Sequence, residues 1–212
     1  GVALLEEPLS LFIYESNGQI APEYSYASVT IASSEPFYYV ICENIDENYI
    51  EKHFGDDDGV LYKKGNSTDF SYNGEDQSKY VEEYDQEMNE NDEDYSKLIA
   101  FLKFVSESSD QEFEEGLPNW LKLDSFITLM ALNDLIDNQD SFASQGRNFY
   151  LYYNPKTEQF QMLAWDFNLA FGGFGGNRGM VARDGNMTAQ MPQGMPQMDF
   201  NMSRQVLPNR DT

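Results

Sequence analysis

The chain has 212 residues, 41% of them hydrophobic and 15% aromatic, so it can bury a substantial core. Its 13 basic and 37 acidic residues give a formal net charge of −24, a field that repels nucleic acids and anionic membranes and attracts divalent cations. Cys42 and His53 are its only cysteine and histidine, which excludes a disulfide framework and leaves zinc sites and Ser-His-Asp chemistry poorly supported. No apolar run approaches the roughly 20 residues of a membrane helix. The chain starts at Gly1 without a methionine and shows no signal-peptide pattern, as expected for a processed or excised piece.

The first third of the chain predicts a helix followed by a strand pair. Residues 6–17 have a helical pattern with Leu9, Phe12 and Ile13 on one side. Residues 24–31 and 37–42 have strand-like composition. The second strand is apolar throughout, which predicts that Cys42 lies in the core, and a short helix follows through about residue 54.

The middle of the chain is the least core-like part. Residues 60–63 predict a short strand, and an acidic insert covers about 64–97. Its most acidic run, 82–94, is typical of a solvated loop, although acidic runs also occur in calcium loops. The run lacks the glycine and the closing glutamate that a calcium loop has at its positions 6 and 12.

Two helices follow the insert, at 95–105 and 117–138. The second carries apolar residues on nearly every face, which predicts a buried central helix. It leads into a polar loop, 137–147, and then two apolar strands joined by a turn at 154–157. The Met/Gln/Pro-rich segment 179–212 lacks periodicity and predicts a flexible tail.

One run of residues points to chemistry. Asp140 lies in the polar loop, Asn148 directly follows it, and Asp166 follows the hairpin. Protein-kinase-type phosphoryl-transfer enzymes use this order: a catalytic Asp, a metal-binding Asn, two strands and a metal-binding Asp. A hairpin between Asn148 and Asp166 would bring its two ends together, and magnesium accepts two such oxygen ligands because it keeps several waters.

The same residues also fit purely structural roles. Asp and Asn are common in turns, where they cap loops and bond backbone amides. The spacing from Asp140 to Asn148 is longer than in ordinary protein kinases. Asp134 and Asp137 compete with Asp140 as the catalytic acid.

The chain resembles the CotH family of spore coat protein H-like atypical kinases. The resemblance rests on NQDSF (138–142), GRNFYLYYNPKTEQFQMLAWDFNLAFGG (146–173), YYVICENIDENYI (38–50) and GVLYK (59–63), and it covers roughly residues 6–173. It implies a protein-kinase-like α+β fold and transfer of the ATP gamma-phosphate to serine or threonine of a protein, with Mg²⁺ or Mn²⁺ as cofactor. Asp140 is then the catalytic acid/base, and Asp166 and Asn148 are the metal ligands.

The resemblance also divides the chain. Residues 1–54 correspond to a partial small lobe, whose hinge would meet adenine at Glu43, Asn44 and Ile45. Residues 55–178 correspond to a helical catalytic lobe. The first helix takes the place of the kinase helix whose glutamate pairs with the phosphate-binding lysine, and Glu7 and Glu15 are the candidates.

Three departures from the family pattern bear on activity. Arg147 stands where the family often has a histidine, and Asn168 stands where it often has a second aspartate. We expect the second change to weaken metal binding. The family's phosphate-binding lysine belongs to a strand upstream of residue 1, so we expect the N-terminal part of the small lobe to be missing. Lys63 is the best substitute in the chain, although it also fits a surface position at the end of a strand.

Two classes of function remain open at this point. The acidic field favours a kinase acting on a basic, Ser-rich protein, located extracellularly or at a cell surface. The alternative is a non-catalytic surface, adhesion or spore-coat module that retains the scaffold. Calcium binding by 82–94 is a third and weaker hypothesis.

Overall fold

The computed structural model describes residues 5–32, 35–55, 58–65, 70–88 and 93–172, which form both helices and strands. The α-helices are α1 (Glu6–Ser16), α2 (Glu47–Phe54), α3 (Ser96–Glu107), α4 (Asp110–Trp120), α5 (Leu123–Leu135) and α6 (Phe142–Gln145). The strands are β1 (Tyr24–Val29), β2 (Phe37–Cys42), β3 (Val60–Lys64), β4 (Tyr84–Gln86), β5 (Phe149–Asn154) and β6 (Gln159–Ala164). Within the described ranges these six helices and two antiparallel sheets give an α+β architecture, as the sequence predicts.

A four-stranded antiparallel sheet, in the order β4-β3-β5-β6, forms the centre of the fold. Alternate residues of β5 enter two different hydrophobic clusters. Tyr150 and Tyr152 pack with residues of α2, whereas Phe149, Leu151 and Tyr153 join the larger cluster with α3 and α5. Because β5 is buried on both faces, its sequence is continuously apolar and shows no alternation.

The larger cluster attaches the helices to β6. Phe160 is fully buried and stacks on Phe101 of α3, with ring centroids 5.1 Å apart. Trp120 of α4 lies 6.1 Å from the same Phe101 ring. This aromatic packing holds α3 and α4 against the sheet. Helix α5 also contacts β6, and it leads into the polar loop that precedes β5.

The single long helix predicted over 117–138 is wrong, since the chain breaks between α4 and α5. Ser109 starts α4 with a capping box to Glu112, and Pro118 lies in its last turn. Leu121 is extended and forms a β-bridge to Phe160, whose carbonyl accepts a 2.8 Å hydrogen bond from the Lys122 N–H. This tertiary pairing with β6 outweighs the helical pattern of the local sequence.

The expectation that α5 is buried on all sides is also wrong. Ile127 is 56% exposed and Leu135 is 69% exposed. The buried positions of α5 are Leu129, Leu132 and Asn133. One side of the helix therefore packs on the core while apolar side chains remain on the other.

The core position predicted for Cys42 is a third error. Strands β1 and β2 pair with each other and form a separate two-stranded sheet within the described ranges, with Tyr24 opposite Cys42. Cys42 is exposed, and Tyr38 of the same strand is 67% exposed. The apolar composition of β2 therefore does not reflect burial among the described residues.

Two of the three apolar residues that the pattern places on one side of α1 are exposed, whereas Ile13 packs against the core. Leu9 and Phe12 are 46% and 56% exposed, whereas Leu11 and Tyr14 are 2% exposed. Tyr14 packs on Phe167, with ring centroids 4.8 Å apart, so the inner face of α1 meets the chain just after β6.

The acidic insert contributes more to the core than its composition indicates. Tyr80, Tyr84, Met88 and Tyr95 are each no more than 2% exposed. Strand β4 pairs with β3, and the Tyr95 hydroxyl donates to the Tyr84 carbonyl at 2.9 Å. Aromatic residues spaced along this acidic stretch thus hold its described parts against the sheet.

The helices of the described ranges include none long and apolar enough to cross a bilayer. The tail predicted over 179–212 lies outside the described residues.

Candidate functional site

The loop after α5 is built on Asn138, which is 3% exposed. Its backbone N–H donates to the Asn133 carbonyl at 3.0 Å, and its Oδ1 accepts the Asp140 N–H at 3.2 Å. The Ser141 hydroxyl donates to the Asn138 carbonyl at 2.8 Å. Buried polar groups carry a large penalty when unpaired, so this network fixes the backbone around Asp140.

The Asp140 carboxylate has a donor on each oxygen. Arg147 directs both Nε and Nη2 at Oδ1. Asn148 Nδ2 donates to Oδ2 at 3.1 Å and also to the Asp140 carbonyl at 2.7 Å. These contacts hold Asp140 in one orientation at a position that is 9% exposed.

The β5–β6 hairpin brings Asn148 opposite Trp165, the residue before Asp166, so the two ends of the hairpin meet as expected. Phe149 pairs with Ala164, and the Trp165 N–H donates to the Asn148 carbonyl at 3.3 Å. Both Asn148 and Asp166 have left-handed backbone angles, with φ of 59° and 58°. Asn and Asp tolerate this conformation better than other side chains, so the residue types suit the turns at both ends.

Asp166 is half-buried, and burial raises the pKa of its carboxyl. The Asn168 N–H, which donates to Oδ1 at 3.4 Å, lowers that pKa, whereas the Asp140 charge raises it and the Arg147 charge lowers it. Two acids and one guanidinium thus share one electrostatic environment.

Glu7 of α1 reaches this site and binds the segment after Asp166. Its Oε2 accepts the Phe167 N–H at 2.6 Å. Burial raises the pKa of Glu7 to about 7; the Phe167 N–H opposes this rise and the Asp166 charge adds to it. Glu15 does not reach the site, because it lies about 12 Å further along α1. Glu15 is exposed and lines a surface cleft of about 310 Å³ with Glu23.

The other two candidate acids face elsewhere. Asp134 is exposed. Asp137 is also exposed, and its Oδ1 accepts Gln139 Nε2 at 3.1 Å. The Gly172 N–H lies 3.5 Å from the Asp137 carbonyl, so Asp137 contacts the chain after β6 through its backbone. The geometry therefore favours Asp140 as the acid that addresses Asn148.

Lys63 lies close to the site without joining it. Its Nζ is 4.8 Å from the centroid of the Trp165 ring and 3.6 Å from Glu87 Oε1. The position is inside β3, opposite Tyr150, rather than at a strand end. Among the described residues no lysine forms an ion pair with Glu7.

The side chains of the hinge-like segment are engaged within the protein. Glu43 Oε1 pairs with Lys52 at 2.8 Å, and the Glu43 N–H donates to the Glu23 carbonyl at 2.7 Å. Asn44 Nδ2 donates to an Asp46 carboxylate oxygen at 3.2 Å, and Ile45 is 3% exposed. Adenine binding by Glu43, Asn44 and Ile45 stays a prediction.

The donor set fits a magnesium or manganese ion. Asp166 offers a carboxylate, and both Asn148 side-chain hydrogen bonds use Nδ2, which leaves Oδ1 as an oxygen ligand. The described ranges contain no cluster of three or more His, Cys, Asp or Glu residues arranged around a metal position. Two protein oxygens are nevertheless enough for an ion that also binds phosphates and waters.

Comparison with known proteins identifies the family. The model of the family described as CotH kinase protein matches residues 2–209. The chain belongs to the CotH kinase protein family. It is also 22% identical, over 174 residues, to the inner spore coat protein H of Bacillus subtilis (strain 168). That match covers 80% of this chain and 47% of the relative, so the chain spans about half the length of the curated relative that it matches.

Two parts of the site were not assigned from the sequence. The sequence contains a feature that indicates the Asn133–Asn138 network, because Asn133 is a polar residue within an apolar helical pattern. The pairing of Arg147 with Asp140 is indicated less strongly, by the isolation of this arginine in the sequence. Arg147 is the first arginine in the chain, and the next is Arg178. An isolated arginine next to a candidate metal ligand is a candidate ion-pair partner for a nearby acid.

Proposed function

We propose that this chain belongs to a protein kinase that transfers the gamma-phosphate of ATP to serine or threonine of a protein, with Mg²⁺ or Mn²⁺. The observation that carries the proposal is the convergence of Asp140, Asn148 and Asp166 at one end of the β5–β6 hairpin. Membership of a kinase-named family supports it, and a protein-kinase-like fold is part of the proposal.

Each side chain has a role in such a transfer. Asp140 would accept the proton of the substrate hydroxyl as its oxygen forms a bond to the gamma-phosphorus. The bond from that phosphorus to the bridging oxygen breaks, and ADP leaves with the electron pair. Asp166 and Asn148 Oδ1 would hold the metal ion, which neutralises phosphate charge. Glu7 would fix the Asp166 turn through the Phe167 N–H.

The acidic net charge of the chain favours a basic protein as the substrate. The net charge of −24 attracts Lys- and Arg-rich segments and raises their local concentration. We propose a basic, Ser-rich protein as the substrate, and an extracellular or spore-surface location by analogy with the relative named as a spore coat protein. A peptide array without preference for flanking Lys or Arg would contradict the substrate proposal.

The direct test is phosphate transfer from labelled ATP to a mixture of basic Ser-containing peptides. We expect Mg²⁺- or Mn²⁺-dependent labelling that falls at least about 100-fold in Asp140→Asn, because the general base is lost. Asp134→Asn is the matched control, since it removes an exposed acid from the same region. Equal labelling by Asp140→Asn and the wild type would contradict the assignment of Asp140.

A non-catalytic surface or spore-coat module is the second candidate. One observation favours it: within the described ranges Glu7 pairs with a backbone N–H and not with a lysine, so the usual lysine–glutamate pair of kinases is not formed there. Absence of nucleotide binding in this chain and in the full-length protein would favour the module over the enzyme.

A further inference from the structure

We propose that Arg147 is an exchangeable counter-ion of this site, which neutralises Asp140 without nucleotide and donates to the terminal phosphate when a nucleoside triphosphate is bound. This inference rests on the proposed function, because it assigns a further substrate-binding residue to the same site.

In the present contact the Arg147 guanidinium does not form a bidentate pair with two oxygens. Both Nε and Nη2 of Arg147 address the single oxygen Oδ1 of Asp140. A guanidinium binds most strongly when its parallel N–H groups meet two different oxygens, as in bidentate pairs with carboxylates or phosphates. A terminal phosphate group presents three acceptor oxygens, so the two parallel N–H groups of the guanidinium can each meet a different oxygen. The phosphate is therefore a better partner than Asp140 Oδ1 alone.

Asp140 does not depend on Arg147 alone. Asn148 Nδ2 donates to its other oxygen at 3.1 Å, and the Asn138 side chain holds its backbone N–H at 3.2 Å. If Arg147 moves to a phosphate, Asp140 therefore keeps its orientation and loses a competing positive charge, which favours acceptance of a hydroxyl proton.

Arg147 is placed to make such a movement. Its side chain is 31% exposed, whereas the Asp140 side chain is 13% exposed. The arginine therefore lies on the solvent side of the pair. It is the only arginine among the residues that the structure describes, and its charge acts on Asp166 as well as on Asp140.

The charge of Arg147 has opposite effects on two ligands. A free metal cation at Asp166 and Asn148 is repelled by the guanidinium, so removal of the charge should strengthen binding of Mn²⁺ alone. A bound triphosphate uses the Arg147 guanidinium as a hydrogen-bond donor to its terminal phosphate. Removal of the guanidinium should therefore weaken binding of ATP with Mg²⁺. A side chain that only stabilised the loop would weaken both.

The experiment compares wild type, Arg147→Gln and Arg147→Lys by calorimetry with Mn²⁺ alone, Mg²⁺–ATP and Mg²⁺–ADP. For Arg147→Gln we expect affinity about 3-fold higher for Mn²⁺, about 10-fold lower for ATP and within about 2-fold of wild type for ADP, which lacks the terminal phosphate. Arg147→Lys keeps the charge without the fork and should fall between wild type and Arg147→Gln for ATP. Lys156→Gln, which removes one exposed positive charge at the opposite end of the hairpin, controls for net charge.

Equal losses for ATP and ADP, or weaker Mn²⁺ binding in Arg147→Gln, would overturn the inference. Asp166→Asn separates it from the proposed function. If Asp166→Asn abolishes ATP binding while Arg147→Gln matches wild type, the assignment of Arg147 alone is wrong. If neither this chain nor the full-length protein binds Mn²⁺ or nucleotide, both proposals fail together. Circular dichroism of each variant checks that it folds.

Discussion

Replacing Glu7 by glutamine tests the electrostatic link between α1 and the Asp166 turn. Glutamine keeps an oxygen that can accept the Phe167 N–H, but it cannot ionise. Burial raises the pKa of Glu7 from 4.5 to about 7. Between these values the folded protein holds a proton that the unfolded chain has released, so the Glu7 contribution to folding stability falls as the pH rises through this window.

The magnitude follows from the pKa difference. At 1.36 kcal/mol per pKa unit, the rise to about 7 corresponds to about 3 kcal/mol as an upper limit. Glu7 is partly accessible to solvent, which reduces the expected value to about 2 kcal/mol. Relative to wild type, Glu7→Gln should therefore become more stable by about 2 kcal/mol between pH 4.5 and pH 8.

Urea unfolding followed by tryptophan fluorescence, at intervals from pH 4.5 to pH 8.5, gives the free energy of unfolding of each protein. Glu15→Gln is the matched control, because it removes the same charge from an exposed position of α1. A difference between Glu7→Gln and wild type that does not change with pH would refute the argument that Glu7 is buried and protonated near neutral pH.

Three further predictions concern the framework that positions the site, each measured by urea unfolding at pH 7. Gly59→Ala should destabilise by about 3 kcal/mol or more, because a Cβ there would lie 2.3 Å from the Tyr152 ring and 2.4 Å from a backbone carbonyl. Phe160→Ala should cost about 3–5 kcal/mol, since Phe160 is fully buried, whereas Phe12→Ala at an exposed position should cost about 0.5 kcal/mol or less. Ser109→Ala should cost about 1 kcal/mol by removing the capping box of α4, and a smaller loss would show that packing alone fixes this helix.

The sequence predicted the β5–β6 hairpin well because both strands are largely buried and consist mostly of apolar or aromatic residues. It missed the break between α4 and α5, since the backbone pairing of Leu121 with Phe160 is a tertiary contact that helical periodicity cannot reveal. The exposure of β2 has a similar origin. Apolar composition reports what a strand is able to bury, and its burial depends on which neighbours cover it.

The sequence likewise predicted one part of the candidate site and missed another. The order Asp140, Asn148, Asp166 was visible in the chain, and the hairpin register explains why distant positions meet. The choice among Asp134, Asp137 and Asp140 needed the loop network, because three nearby acids differ in where the backbone directs them. The engagement of Glu7 with Phe167 depends on how α1 packs, which no local pattern encodes.

The most direct test of the central claim is ATP binding with Mg²⁺ or Mn²⁺, measured by calorimetry for wild type, Asp166→Asn and the control Asp134→Asn. The account predicts metal-dependent binding that is lost in Asp166→Asn and kept in Asp134→Asn. Binding that does not require a metal, or that Asp166→Asn leaves unchanged, would contradict the assignment of Asp140, Asn148 and Asp166 as a phosphoryl-transfer site.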